Sequence, residues 1–150
     1  MKLTIELVPE SCFFKNVRSN VSPADWEILR KDTLQKAGHK CEVCGFTGLL
    51  HCHEVWDYND QTHEQKLARL QALCPACHEV KHFGLAGVKG RRTFALRHFA
   101  LLNELSRSEA EGHVYKAFEQ WAERSKHQWK LDISFLKNRG IGLEPQPERS

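Results

Sequence analysis

The sequence predicts an α+β fold stapled by a four-cysteine zinc centre, and three observations lead there. Cys41-Glu42-Val43-Cys44 and Cys74-Pro75-Ala76-Cys77 are two C-x-x-C knuckles about thirty residues apart. Each sets two thiolates on a tight turn, so four sulfurs can close one tetrahedral shell. Between them, His51-Cys52-His53-Glu54-Val55-Trp56 has the β-branched and aromatic character of a strand. Outside them, apolar residues recur at helical spacing from Trp26 to Ala37 and from Phe94 to Trp121.

Taken in order, Leu3-Thr4-Ile5-Glu6-Leu7-Val8 alternates apolar and polar and reads as a strand that Pro9 stops. The following dozen residues carry no sustained period and read as loop; Arg18 there is a surface arginine, with phosphate contact as the alternative. Ser22-Pro23-Ala24-Asp25 opens a helix with Ser22 as N-cap and Pro23 at its first position. Trp26, Leu29, Thr33, Leu34 and Ala37 form its apolar stripe, with Trp26 read as a core residue and a base-stacking platform as the alternative, and Gly38 stops it. Gly45 suits the turn after the first knuckle.

Leu49 to Trp56 is the first strand, with the turn Asp57-Tyr58-Asn59-Asp60 after it. Glu64 to Arg69 reads as a brief helix, Leu70 to Leu73 as the second strand, and Pro75 to about Phe83 as a helix whose exit Gly84, Gly87 and Gly90 punctuate. Thr93 to Leu105 is a mostly buried helix. Ser108-Glu109-Ala110-Glu111 reads as the capping box of another, running to about Arg124 with Val114, Ala117, Phe118 and Trp121 inward. Trp129 to Ile133 alternates like a strand that could pair with the N-terminal one. Residues 143–150 are polar and proline-rich and read as a flexible tail.

Hydrophobic content of 41% with 27% charged residues is ordinary for a soluble chain. No apolar run approaches the roughly 18 residues of a membrane span, so no membrane partner is expected. Met1 to Ile5 does not resemble a signal peptide, because Glu6 and Pro9 interrupt the apolar run, and the expected location is cytoplasmic. In that reducing setting six cysteines read as metal ligands rather than disulfides, with Cys12 and Cys52 left as small hydrophobes.

The net charge is only +3, but from Lys81 to His98 no acid interrupts Lys81, His82, Lys89, Arg91, Arg92, Arg97 and His98. Directly after a candidate site, Lys81, Lys89, Arg91, Arg92 and Arg97 read as a phosphate track. The closing knuckle continues into His78 and His82, four apart and on one helical face, where they could hold a second metal. A strand through the middle segment could bring His53 or Glu54 to that face.

Together these residues resemble the HNH endonuclease family, whose ββα-metal site is often stapled by a four-cysteine zinc. Members carry an acid or His followed by a His on the first strand, an Asn on the next loop or strand, and C-x-x-C-H-x-x-x-H on the helix. The similarity extends over Val8-Pro9, Asn16-Val17-Arg18 and Arg124-Ser125 near Trp129, as in a bacterial or phage branch of the family. It implies a single HNH-type domain over residues 1–142, with its core at 38–84 and a helical extension at 93–126.

The resemblance implies that Cys41, Cys44, Cys74 and Cys77 bind a structural Zn2+ and that His53, His78 and His82 bind a catalytic divalent ion. That ion is Mg2+, Mn2+, Ni2+ or Zn2+. Taking Leu50 as the hydrophobic position before the strand ligand puts Glu54 in the place of the general-base His. A register shifted by one residue makes His53 the base and Cys52 the ligand. Arg69 stands where the family has its Asn, and Asn59 is the substitute within reach. A carboxylate near pKa 4.3 is a weaker base than a His near 6.5 unless burial raises it, and His51 or His53 is the reserve.

The implied function is metal-dependent hydrolysis of DNA phosphodiester bonds, with RNA open as an alternative substrate. A second reading is a catalytically weak or inactive zinc-stapled module that binds nucleic acid or serves as an adaptor. A third, a redox protein using its C-x-x-C pairs, lacks the βαβ pattern that would surround them.

Overall fold

The computed structural model describes residues 1–12 and 16–142 and has the expected α+β class. Pro23–Lys36 forms α1, and Ser22 Oγ accepts the Asp25 amide at 3.1 Å. The antiparallel pair β1 (His51–Asn59) and β2 (Glu64–Leu73) follows, then α2 (Pro75–Lys81), α3 (Phe83–Val88), α4 (Arg92–Leu102), α5 (Arg107–Arg124), β3 (Lys130–Asp132) and α6 (Ser134–Lys137). Among the described residues no helix is long and apolar enough to cross a membrane. The tail at 143–150 lies outside the described residues.

The sheet runs β1-β2-β3, with β1 and β2 in register from His51↔Leu73 to Asn59↔Glu64 and an irregularity at Val55/Trp56. Residues 64–69 are strand, not the brief helix their composition predicts. Glu, Gln, Lys, Leu, Ala and Arg are good helix formers, but Gln65 and Leu67 are both buried on alternate positions of the paired strand. Tertiary pairing overrides local propensity here, and the polar Gln65 hides the period-two pattern.

The terminal strand pairing also differs from expectation: β3 lies parallel to the start of β2, Glu64↔Lys130 to Lys66↔Asp132, and not beside the N-terminal segment. Residues 3–8 join no ladder. Asn103 receives the Leu3 amide at 3.1 Å and donates to the Leu3 carbonyl at 2.8 Å, while Trp121 Nε1 donates to the Val8 carbonyl at 3.0 Å. Side chains from α5 and the loop after α4 thus satisfy backbone groups that a second strand would otherwise take.

Two buried clusters flank the sheet. One gathers Leu3, Leu73, Cys77, Val80, Phe83, Phe99 and Val114, so α4 and α5 share a core with the cysteine knuckles. The other joins α1, β2 and α6 through Leu29, Leu67, Leu70, Ile133 and Leu136, with Trp26 packed against it. Within α4 the burial is carried by Ala95, Leu96 and Phe99, while Phe94 and Leu101 stay exposed.

The capping box of α5 is formed by Ser106 and Glu109, two residues earlier than Ser108: the Glu109 amide donates to Ser106 Oγ at 3.1 Å and the Ser106 amide to Glu109 Oε1 at 3.0 Å. Ser106→Ala should lower stability by about 1 kcal/mol, the usual worth of such a cap. A denaturant midpoint that moves for Ser108→Ala but not for Ser106→Ala would reverse this assignment.

Candidate metal centres and the cleft between them

The first knuckle is a turn in which Gly45, at φ +78°, donates its amide to the Cys41 carbonyl at 2.9 Å, and Cys41 donates to the Phe46 carbonyl at 2.9 Å. Glu42 fastens it to the sheet, accepting the Ala72 amide at 2.6 Å and pairing with Arg69 at 3.1 Å. Arg69, which the resemblance sets where an Asn would be expected, thus pairs with the knuckle. The second knuckle starts α2, with Pro75 in its first turn and Cys74 Sγ accepting the Cys77 amide at 3.4 Å.

The four sulfurs of Cys41, Cys44, Cys74 and Cys77 all lie within 4.8 Å of one another, and Cys44 and Cys74 are 3.6 Å apart. A tetrahedron with Zn–S bonds of about 2.3 Å has edges of about 3.8 Å, so the cluster is of the size that could hold a metal ion of zinc's kind. Burial raises the thiols of Cys74 and Cys77. At Cys41 burial acts the same way, but hydrogen bonds from the backbone at Cys44, Cys74 and Val43 outweigh it and hold the thiol at about 7. His98 Nε2 sits 3.2 Å from Cys77 Sγ, a contact that spacing along the basic run could not reveal.

Beside this cluster α2 turns His78 and His82 onto one face, their Nε2 atoms 3.1 Å apart. β1 adds His53, and the ligand nitrogens of all three lie within 4.8 Å of one another, so this group too could hold a metal ion. His53 is 4% exposed, and its Nε2 is buried with no hydrogen-bond partner. A buried polar atom without a partner is costly unless a water or a bound ion satisfies it.

Burial first, then mutual repulsion, lowers His53 to about 2 and His78 to about 3; burial lowers His82 as well. All three are therefore neutral near pH 7, the form in which imidazole binds metals. Cys52 borders the clefts beside these histidines but packs against the second core cluster, its thiol pushed by burial to about 11, and it is not among the ligand atoms that converge with His78 and His82. The strand residue that meets His78 and His82 is thus His53.

Glu54, next along β1, points to the loop before α1, where its Oε1 accepts the amides of Val17 at 2.9 Å and Arg18 at 3.2 Å. Burial raises its carboxyl in spite of those bonds and one to the Trp56 side chain. Glu54 still lines a cleft of about 440 Å³ together with His53, His78, His82, Asn16 and Arg18. Asn59 is the last residue of β1, roughly 20 Å along the strand from His53 at about 3.3 Å per residue, and its Oδ1 caps the β1–β2 turn by accepting the Gln61 and Thr62 amides.

Two further features escaped the sequence. The predicted continuous helix through Phe83 breaks at His82, whose φ −103° and ψ 53° end α2 and start α3. His51 also contacts the triad, its Nδ1 2.9 Å from His78 Nδ1. With one nitrogen of His78 held from β1, the other is fixed towards His82, the kind of outer contact that orients metal-binding histidines. The alternation of His51 and His53 on one strand face was the available signal.

The residues of the predicted phosphate track differ in their surroundings. Lys81 is buried, with its ammonium on Glu6 and on Thr4 Oγ1 at 2.8 Å. Arg91 pairs with Glu79 at 2.5 Å, and Arg92 makes a two-pronged contact with Glu111 at 2.9 and 2.6 Å. Acids distant in sequence supply the charge that the run itself lacks. Lys89 and Arg97 are exposed, and Lys89 with Arg18 lines a second cleft beside His78 and His82. Comparison with family models, curated proteins and solved structures finds no match for the chain.

Proposed function

We propose that the chain is a metal-dependent nuclease of the HNH type, hydrolysing phosphodiester bonds of nucleic acid at the His53, His78 and His82 cluster. The observation that carries this reading is the buried, partnerless His53 Nε2, brought from a strand to two neutral imidazoles on the helix that follows a cysteine knuckle. A divalent ion bound there would polarise the phosphodiester and neutralise the departing oxygen. Nitrogen donors suit zinc, nickel and other transition ions.

The remaining work falls to the chain itself. Glu54 has one oxygen anchored by two backbone amides, which fixes the carboxylate, and the residue lines the cleft, where that carboxylate can orient a water or take its proton. Its raised pKa strengthens it as a base near neutrality, the condition under which a carboxylate replaces a histidine. Arg18, whose amide holds Glu54, places its guanidinium at the same cleft, where a phosphate can be gripped.

The anchoring of Glu54 also favours a second reading, a nucleic-acid-binding module with feeble or no catalysis, because an acid tied to the backbone can serve structure alone. Divalent-dependent nicking of supercoiled plasmid separates the two. In the nuclease, Glu54→Gln keeps size and hydrogen bonding but cannot take the proton, so turnover should fall about a hundredfold or more while metal affinity holds. Wild-type protein that nicks nothing with any divalent ion supports the binding module, and unimpaired Glu54→Gln returns the role of base to a histidine.

A further inference from the structure

The cleft on the α3 side of the triad has walls that a phosphate backbone does not need. It is about 690 Å³, within the range of small-molecule sites, and shares Arg18, Trp26, His78 and His82 with the cleft that holds Glu54. Its lining includes Leu49, 67% exposed, and Leu85, 52% exposed, together with the half-buried Trp26. Arg18 and Lys89 are exposed cations of the same lining, whereas Arg30 is committed to Glu27 at 2.7 Å.

Apolar side chains left in water beside a polar centre gain stability only when an apolar face covers them. An intact duplex keeps its base faces stacked and would present hydrated sugar and phosphate to these leucines. An unstacked nucleotide offers both halves of the match, a flat base for Trp26, Leu49 and Leu85 and anionic phosphates for Arg18 and Lys89. Resting on the nuclease reading above, we propose that this cleft holds an unstacked base beside the scissile phosphate, so that the substrate is single-stranded or locally unpaired nucleic acid.

The test is fluorescence anisotropy of the full chain, without added divalent ion, on a labelled single-stranded oligonucleotide and on its blunt duplex at one salt concentration. Charge alone favours the duplex, whose counterion release per phosphate contact is the greater. The expected result is single-strand affinity about tenfold or more above duplex affinity. Leu49→Ser/Leu85→Ser should remove about tenfold of it and leave duplex binding unchanged. Both leucines are exposed, so this variant should fold where Trp26→Ala, which cuts into the second core cluster, need not.

Duplex affinity equal to or above single-strand affinity, or single-strand affinity indifferent to the leucine pair, overturns the subsite. Cleavage keeps the two readings apart. A protein that nicks duplex as fast as single strand remains a nuclease without this subsite, and one that binds single strand through the leucines yet cleaves nothing keeps the subsite and loses the nuclease.

Discussion

Cys41→Ser and Cys77→Ser are each expected to release the metal from the four-cysteine cluster and to unfold the part of the chain around it. Cys77 is 0% exposed in the first turn of α2, and Cys41 is 3% exposed where the first knuckle meets the sheet. Both belong to the core cluster that also contains Leu3, Phe99 and Val114, so the damage should reach α4 and α5. The free energy of binding a structural zinc is largely folding free energy, about 10–16 kcal/mol in small zinc modules, against a total stability of about 5–15 kcal/mol for a typical domain. Losing one of four ligands forfeits a large part of that sum.

Cys12→Ala is the control, because Cys12 is buried but outside the cluster and should keep the zinc. Elemental analysis should find zinc in the wild type and in Cys12→Ala and little in the two serine variants. Thermal melting should fall steeply on adding a strong chelator. Purified protein that contains no zinc, and melts the same with chelator as without, would remove the metal from the account of stability.

The parts of the architecture written in short-range chemistry were legible in the sequence. Thiolate spacing announces the knuckles because a C-x-x-C turn needs nothing beyond itself, and Ser22-Pro23 announces α1 because capping is settled within four residues. His78 and His82 share a face by helical period alone, and that reading holds even though the helix breaks at His82 itself.

What the sequence hid depends on contacts across the fold. Residues 64–69 are helix formers drawn into a ladder by β1, and Leu3 to Val8 alternates like a strand yet is held by Asn103 and Trp121. The basic run looked unopposed only along the chain, since Glu6, Glu79 and Glu111 reach Lys81, Arg91 and Arg92 from elsewhere. Among the described residues, exposed cations that line the clefts beside the triad include Lys89, which the sequence nominated, and Arg18, for which it held phosphate contact as the alternative to plain surface. The cleft with Trp26, Leu49 and Leu85 was invisible because its walls come from α1, the loop before β1 and α3.

His82→Ala should abolish divalent-dependent cleavage while sparing the fold and the four-cysteine zinc. The two centres share α2 but no ligand, and the cysteine ligand nearest in sequence, Cys77, sits at the start of the helix that His82 ends. His82 is half-buried, and its neutral imidazole sits against His78; the charged groups near it, Glu6 and Lys81, are paired with each other, so trimming it leaves no unpaired buried ion behind. With two imidazoles left, the triad should lose most of its hold on a divalent ion.

Binding can be read without any cleavage. Saturating divalent ion should stabilise the wild type by about 2.7 kcal/mol at a hundred times its Kd, and this increment should vanish in His82→Ala while the baseline melt stays close to wild type. The zinc held by the four cysteines, counted after dialysis has stripped the more weakly held ion of the triad, should be equal in the two proteins, which separates loss of this site from collapse of the other. If divalent ions raise the melting temperature of both proteins alike, the triad is not where they bind. If His53→Ala, His82→Ala and Glu54→Gln all cleave at the wild-type rate, the chemistry lies elsewhere and the three buried imidazoles are packing.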